Sequence, residues 1–234
     1  MSTPPAGKTV AVLQSNYLPW KGYFDIINDV DLFIFYDDVQ FTKNDWRNRN
    51  LIKTPSGAAW ITVPVGQDIR RKICEVTIPD TRWAKAHWKT LSQNYARAPH
   101  LGRYRALFES VYLGRTWTFL SELNRHLIES IAGELGIGAR FADSRDYDLQ
   151  GGGSERLLQL LQKAGTRTYV SGPSARNYLD EAAFAGAGIE VAYKSYEGYP
   201  EYPQLFPPFD HRVSIVDLLF NAGPEAPRYI WGWR

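Results

Sequence analysis

The chain has 234 residues, 44% of them apolar, and 27 Lys and Arg stand against 25 Asp and Glu for a net charge of +2. This length and apolar content suit one core that needs no disulfide or metal staple, and they exclude a disordered chain. The near-balance of charge removes any global case for nucleic-acid binding, and the single cysteine, Cys74, excludes an intramolecular disulfide and Cys-rich zinc sites.

Residues 1–8 (MSTPPAGK) carry no apolar stretch of the secretory kind and read as a flexible N-terminus. No apolar run approaches the ~20 residues of a membrane span, so a cytoplasmic location is expected, with Cys74 a small hydrophobe in a reducing compartment. Residues 9–13 (TVAVL) read as a buried strand and 14–19 as a loop. Residues 22–28 (GYFDIIN) have helical spacing, with Tyr23, Ile26 and Ile27 on one face, and 31–36 (DLFIFY) read as a second buried strand. Strand, helix and strand in quick succession make a βαβ unit and a parallel sheet.

Residues 59–65 (AWITVPV) and 73–78 alternate and are expected to pair as antiparallel strands across the polar turn 66–72. Helices are expected over 83–95, 102–112 and 116–135, the last stopped by Gly136. A strand at 140–143 follows, then Gly151 to Gly153 as a hinge or phosphate-type loop. Ser154 caps a helix over 154–164 with Leu157, Leu158 and Leu161 inward. A strand at 168–171, a helix at 179–185 and a strand at 189–193 form a second βα half. An irregular Tyr- and Pro-rich tail (196–209) leads to a last helix over 213–221. The fold class is therefore α/β: a Rossmann-like (HUP-type), mostly parallel sheet core with an inserted antiparallel strand and helical region. It forms one domain over 9–223 with the insertion at about 59–135, followed by a tail at 224–234.

In open α/β sheets, ligands lie at the carboxyl ends of the strands. The loops 14–19, 37–50 and 171–174 all follow strands and should meet at one edge. Asp37 and Asp38 end an apolar strand, where a carboxylate can bind a hydroxyl, hold a metal or act as a base; turn capping is the competing role. Lys43, Trp46, Arg47, Asn48 and Arg49 form a donor-rich run suited to phosphate or carboxylate, against the plainer reading of a solvated loop with Asp45–Arg47–Arg49 ion pairs. Its Arg and Trp also leave RNA contact open.

Gln14, Tyr17 and Trp20 lie on the loop between the first strand and first helix. That loop resembles in position the HxGH signature of nucleotidylyl transferases, with Trp20 and Tyr23 where the histidines would stand. It suggests a nucleotide-type site shape without adenylyl-transfer chemistry. Ser171, Gly172 and Ser174 end a strand before a helix, where backbone N–H groups can hold an anion; no GK[ST] follows, so this is not a Walker loop. His87 and His211 are candidate bases, and His126 reads as structural. No HxxxH, HExxH or GxSxG is present, so neither a metal site nor a hydrolase elbow is expected, and the sequence names no cofactor.

The runs AVLQSNYLPWKGYFDIIN, FIFYDDVQFTKNDWRNRN, TYVSGPSARNYLDEAAF and YPEYPQLFPPFDHRVSIVDLLFNAG resemble the WbqC-like family over residues 10–223. Family motif positions fall on Gln14, Tyr17, Trp20, Asp37, Asp38, Lys43, Trp46, Arg47, Asn48, Arg49, His87, Ser171, Gly172, Tyr178 and Ser214, among others. Residues 205–208 (LFPP) depart from the glycine expected near Gln204, which bears on loop shape and acceptor choice. The resemblance implies a bacterial protein of O-antigen or other surface-polysaccharide biosynthesis, and for some members glycyl transfer to an amino sugar. The expected enzyme is a transferase of an acyl or aminoacyl group to an amino sugar or nucleotide-sugar. Asp37, Asp38 or His87 would take the proton, the arginines would bind anionic groups, and the donor would be an amino acid with ATP or a charged tRNA. The competing expectations are a non-catalytic nucleotide- or carbohydrate-binding protein and a tRNA-binding protein.

Overall fold

A computed structural model describes residues 7–234, so the flexible start expected for residues 1–8 falls largely outside the described residues. The first apolar runs form β1 (Lys8–Leu13) and β2 (Leu32–Phe35), joined by α1 (Lys21–Asn28). Successive side chains of a strand point to opposite faces. Val10, Val12, Leu32 and Ile34 enter one buried cluster, and Ala11, Phe33 and Phe35 enter another. Burial on both faces is why these strands read as unbroken apolar runs rather than alternating ones.

With β5 (Arg140–Asp143), β6 (Thr166–Ser171) and β7 (Glu190–Tyr193) they build a five-stranded parallel sheet ordered β5-β2-β1-β6-β7. The chain steps outward from β1 to β2 to β5, then returns to the other side of β1 as β6. The direction of winding therefore reverses between β1 and β6. The crossing helix α5 (Gly153–Lys163) and α6 (Glu181–Gly186) supply Leu160, Leu161 and Phe184 to the Val10/Val12 face.

Between β2 and β5 lie the hairpin β3 (Arg49–Thr54) and β4 (Gly57–Thr62) and three helices, α2 (Arg82–Asn94), α3 (Leu101–Tyr112) and α4 (Leu120–Glu134). They share the other core cluster with α1 and with α7 (Ile215–Ala222). Leu135 closes α4, and Gly136 follows in the left-handed region at φ +73°. Among the described residues no helix is long and apolar enough to cross a membrane.

Three expectations are corrected. Residues 73–78 do not pair with 59–65: Ile73–Glu75 is a 3-10 turn, and β4 pairs in antiparallel fashion with residues 49–54. The short Thr54–Gly57 turn, with Gly57 at φ +107°, closes that hairpin at a lower entropy cost than the longer link to residue 73. The start expected for the long helix, residues 116–119, is not helical, because Phe119 bridges to Thr77. Ser154 is not the cap of α5: the helix begins a residue earlier, and Gly152 holds the cap position.

Candidate functional site: a tryptophan-walled cleft over a buried polar hub

Loops 14–19 and 37–50 meet at the carboxyl edge of β1 and β2. The Tyr17 N–H donates to the Trp46 carbonyl (2.9 Å), and the Ser15 N–H donates to Asp37 Oδ1 (2.8 Å). Asp37 is buried, and its Oδ2 has no partner among the described residues. Burial pushes its pKa up to about 6, against the opposing pull of the Ser15 hydrogen bonds and Arg47.

Arg47 is nearly buried. Its two Nη atoms donate to Asn16 Oδ1 and Gln14 Oε1, and Asp45 lies 3.7 Å away. Asn124 of α4 donates to the Arg47 carbonyl (2.8 Å). Arg47 Nε and Asn124 Oδ1 are also buried without partners, so three unpaired polar atoms belong to this one hub. Asp38 faces away from it and accepts from Arg156 and Ser144. Burial alone would raise the Asp38 carboxyl, but these partners outweigh it and hold the pKa below the usual range.

Above the hub opens a cleft of about 490 Å³, within the usual range for a small-molecule site. Trp46 and Trp60 line it, 42% and 45% exposed, with ring centroids 5.3 Å apart. Arg49 stacks on Trp60 at 4.2 Å and donates to the Asn44 carbonyl (2.5 Å). Trp20 adds a third indole, braced edge-on by Tyr196 at 5.0 Å. The charged lining is Asp210 and Arg212, paired at 3.1 Å, and Asn16 adds an amide. Burial raises Asp210, but its Arg212 hydrogen bonds prevail and keep it a carboxylate. Gln204 fixes Asp210 from behind: its Oε1 accepts the Asp210 N–H, and its Nε2 donates to the Asp210 carbonyl, both at 3.0 Å.

The other expected site residues divide by role. His87 is buried, with both ring nitrogens engaged. The Thr62 carbonyl can only accept, so Nε2–H donates to it (3.2 Å), and Nδ1 accepts from the Tyr17 hydroxyl (2.8 Å). That leaves the Tyr112 hydroxyl to donate to the Tyr17 oxygen (2.5 Å). Burial pulls the His87 pKa down to about 4. Tyr17 and His87 thus pin the loop from inside the core and are not brought to the cleft.

Asn48 donates to the Val63 carbonyl (2.9 Å), and Ser214 caps α7 through Val216 N–H. Lys43 is exposed. His211 packs edge-on against Phe209 at 4.5 Å and keeps a buried Nδ1 without a partner. Burial, then Lys21, lowers its pKa, so the ring is neutral near pH 7. Ser171 is buried and donates to the Tyr169 hydroxyl (3.1 Å). Gly172 and Ser174 enter a 3-10 turn, Pro173–Asn177, with Ser174 exposed. Tyr178 is 67% exposed and lines a second cavity beside Gln14.

Sequence reasoning missed Trp60, Asn16, Asp210 and Arg212. Trp60 had a legible signal: it is a large aromatic in the outward phase of an alternating strand, flanking the buried Ile61. Asp210 and Arg212 had none, because an irregular tail gives no clue to what it packs against. Among the described residues no group of three or more His, Cys, Asp or Glu side chains converges as a metal would require.

A model of the WbqC-like protein family matches residues 14–229. The chain is 52% identical over 225 residues to the uncharacterized protein Rv1507c of Mycobacterium tuberculosis (strain ATCC 25618 / H37Rv), covering 95% of this chain and 97% of that one. A crystal structure of CmiS6 aligns with 82% of this chain and 53% of its own at 14% identity, with a TM-score of 0.21, too slight a likeness to bear on fold or chemistry.

Proposed function

The chain belongs to the WbqC-like protein family, and from that premise we propose that it is a transferase of bacterial surface-polysaccharide biosynthesis that moves an acyl or aminoacyl (glycyl-like) group onto an amino sugar, carried free or as a nucleotide-sugar. The observation that carries this reading is the Trp46–Trp60 wall beside Asp210, Arg212 and Asn16. The apolar C–H face of a sugar ring lies on an indole, and hydroxyls or an amine bond to a carboxylate and an amide. Arg212 offers a fork for a phosphate or carboxylate. The order of the parallel strands supports the Rossmann-like, HUP-type reading of the sheet.

In the transfer, the neutral amine attacks the carbonyl of an activated acyl ester or anhydride. The new C–N bond forms, the bond to the leaving oxygen breaks, and the amine proton passes to a base. Asp38 is committed to Arg156, and both ring nitrogens of His87 are occupied. His211, neutral, next in sequence to the cleft residues Asp210 and Arg212 and with an Nδ1 that has no partner among the described residues, is the group we assign to the proton.

Trp60→Ala is expected to weaken amino-sugar binding about 5- to 150-fold, the 1–3 kcal/mol of a lost stacking face, with the melting curve unchanged. Calorimetry on UDP- and dTDP-linked amino sugars checks it, and an unaltered affinity sinks the cleft as the sugar site. A mass increase of the sugar on incubation with glycine and ATP, or with glycyl-tRNA, tests turnover. A non-catalytic nucleotide- or carbohydrate-binding role is favoured by the engagement of Asp38 and His87 with protein partners, and binding without product would support it. The tRNA-binding reading draws on Arg49 stacked over Trp60, and a steep fall of tRNA affinity with salt is its signature.

A further inference from the structure

The second cavity, about 470 Å³, opens at the carboxyl edge of the sheet where the winding reverses between β1 and β6. Connections that leave adjacent strands over opposite faces part there and leave a crevice. Its walls include Leu13 at the end of β1 and Gln14 after it, Tyr36 after β2, Tyr169 of β6, Leu157 in the first turns of α5, and the exposed Tyr178 at the mouth.

The chemistry of these walls differs from that of the cleft. Three phenol rings and apolar side chains dominate, and no carboxylate or cation is among the described lining residues. Gln14 Oε1 is taken by Arg47 and the Ser154 hydroxyl donates to the Tyr178 carbonyl (3.4 Å), which leaves the Gln14 NH2 as the amide donor of the crevice. A hexose would bring a ring of hydroxyls to walls that are mostly aromatic and apolar and carry no charged partner. A flat heteroaromatic ring can stack on tyrosine and accept one hydrogen bond from an amide.

We propose that this crevice is a second subsite and takes the nucleoside of a nucleotide-bearing substrate, with Arg47 as the positioning residue that joins it to the cleft. Arg47 holds Gln14, a wall of the crevice, with one Nη and Asn16, a wall of the cleft, with the other. A ligand that draws the Gln14 amide inward therefore pulls on the group that also sets Asn16. The proposal deepens the transferase reading and rests on it only in taking the cleft as the place of the sugar.

The test is calorimetry of the full chain with uridine, thymidine and adenosine 5′-monophosphates, alone and with an amino sugar present. At least one monophosphate is expected to bind the unmodified chain. Tyr178→Ala, at an exposed position that leaves the fold intact, should weaken it about fivefold or more. Trp60→Ala should leave nucleotide affinity unchanged while sugar affinity falls. Saturating nucleotide should shift sugar affinity in the unmodified chain but not in a folded Arg47→Lys variant.

No nucleotide binding tighter than about 1 mM overturns the subsite, as does binding lost in Trp60→Ala but kept in Tyr178→Ala. Coupling that survives Arg47→Lys overturns the role given to Arg47. Nucleotide binding that depends on Tyr178, with no sugar bound under any condition, upholds the crevice and overturns the sugar reading of the cleft instead.

Discussion

Asp217→Ala lowers the stability of the protein by about 2–5 kcal/mol, whereas Asp217→Asn costs much less. Asp217 is fully buried in the first turn of α7, where its two oxygens accept the hydroxyls of Tyr95 and Tyr202, each at 2.8 Å. Alanine leaves both phenolic protons buried with nothing to receive them. Asparagine keeps one accepting oxygen, so only one of the two phenolic protons loses its acceptor. Urea denaturation of the two variants checks this, and equal losses would show that volume or charge rather than hydrogen bonding is at stake.

The same network reaches the cleft. Gln204 donates to the Tyr202 hydroxyl (3.1 Å) while gripping the backbone of Asp210 on both sides. Asp217→Ala should therefore loosen Asp210 and weaken ligand binding in the cleft beyond what lost stability explains. Asp217→Asn should leave binding nearly intact.

The second large effect is in the pH dependence. Asp37 and His87 are both buried and shifted in opposite directions, the carboxyl up from 3.8 to about 6 and the imidazole down from 6.5 to about 4. For Asp37, the folded state holds more protons than the unfolded one between those values, so its contribution to stability falls as pH rises from 4 to 6. For His87, the unfolded state holds more protons, so its contribution rises with pH over nearly the same window. Each shift corresponds to about 3 kcal/mol, and the two slopes nearly cancel.

Single replacements expose each slope. Asp37→Asn keeps an oxygen for the Ser15 N–H and removes the buried charge. It should stabilise the protein above pH 6 by up to about 3 kcal/mol and leave a stability that drops on acidification toward pH 4. His87→Gln should do the reverse, leaving a protein that gains stability on acidification through the same window. Thermal melts from pH 4 to 7 distinguish them. An Asp37→Asn profile parallel to that of the parent would mean that the carboxyl titrates normally.

The local signals that foretold elements were strong ones. Unbroken apolar runs at Val10 to Leu13 and Leu32 to Phe35 can be covered only on both faces, and helical spacing with a glycine stop at 136 leaves little choice for α4. Pattern alone does not single out the partner of β4, because residues 73–78 and 49–54 both alternate weakly, and a pairing partner is chosen by turn length as well as by pattern. The polar run 37–50 was legible as unusual, but its members proved to have different jobs. Trp46 and Arg49 build a wall, Asn48 and Asp45 hold the loop, and Arg47 lies inside.

By itself the sequence determined that this chain forms a mostly parallel α/β sheet with an inserted region, and that the loops following its strands carry the unusual polar and aromatic residues. Those properties are set by side chains within a few positions of each other, where periodicity, caps and turn residues act. Only the tertiary structure decided that Asp210 and Arg212, more than 140 residues from Trp60, complete its cleft, and that His87 and Tyr17 face inward rather than toward a ligand. Whether a polar group becomes a buried strut or a ligand contact depends on what the rest of the chain packs around it, and a linear pattern holds no record of that neighbourhood.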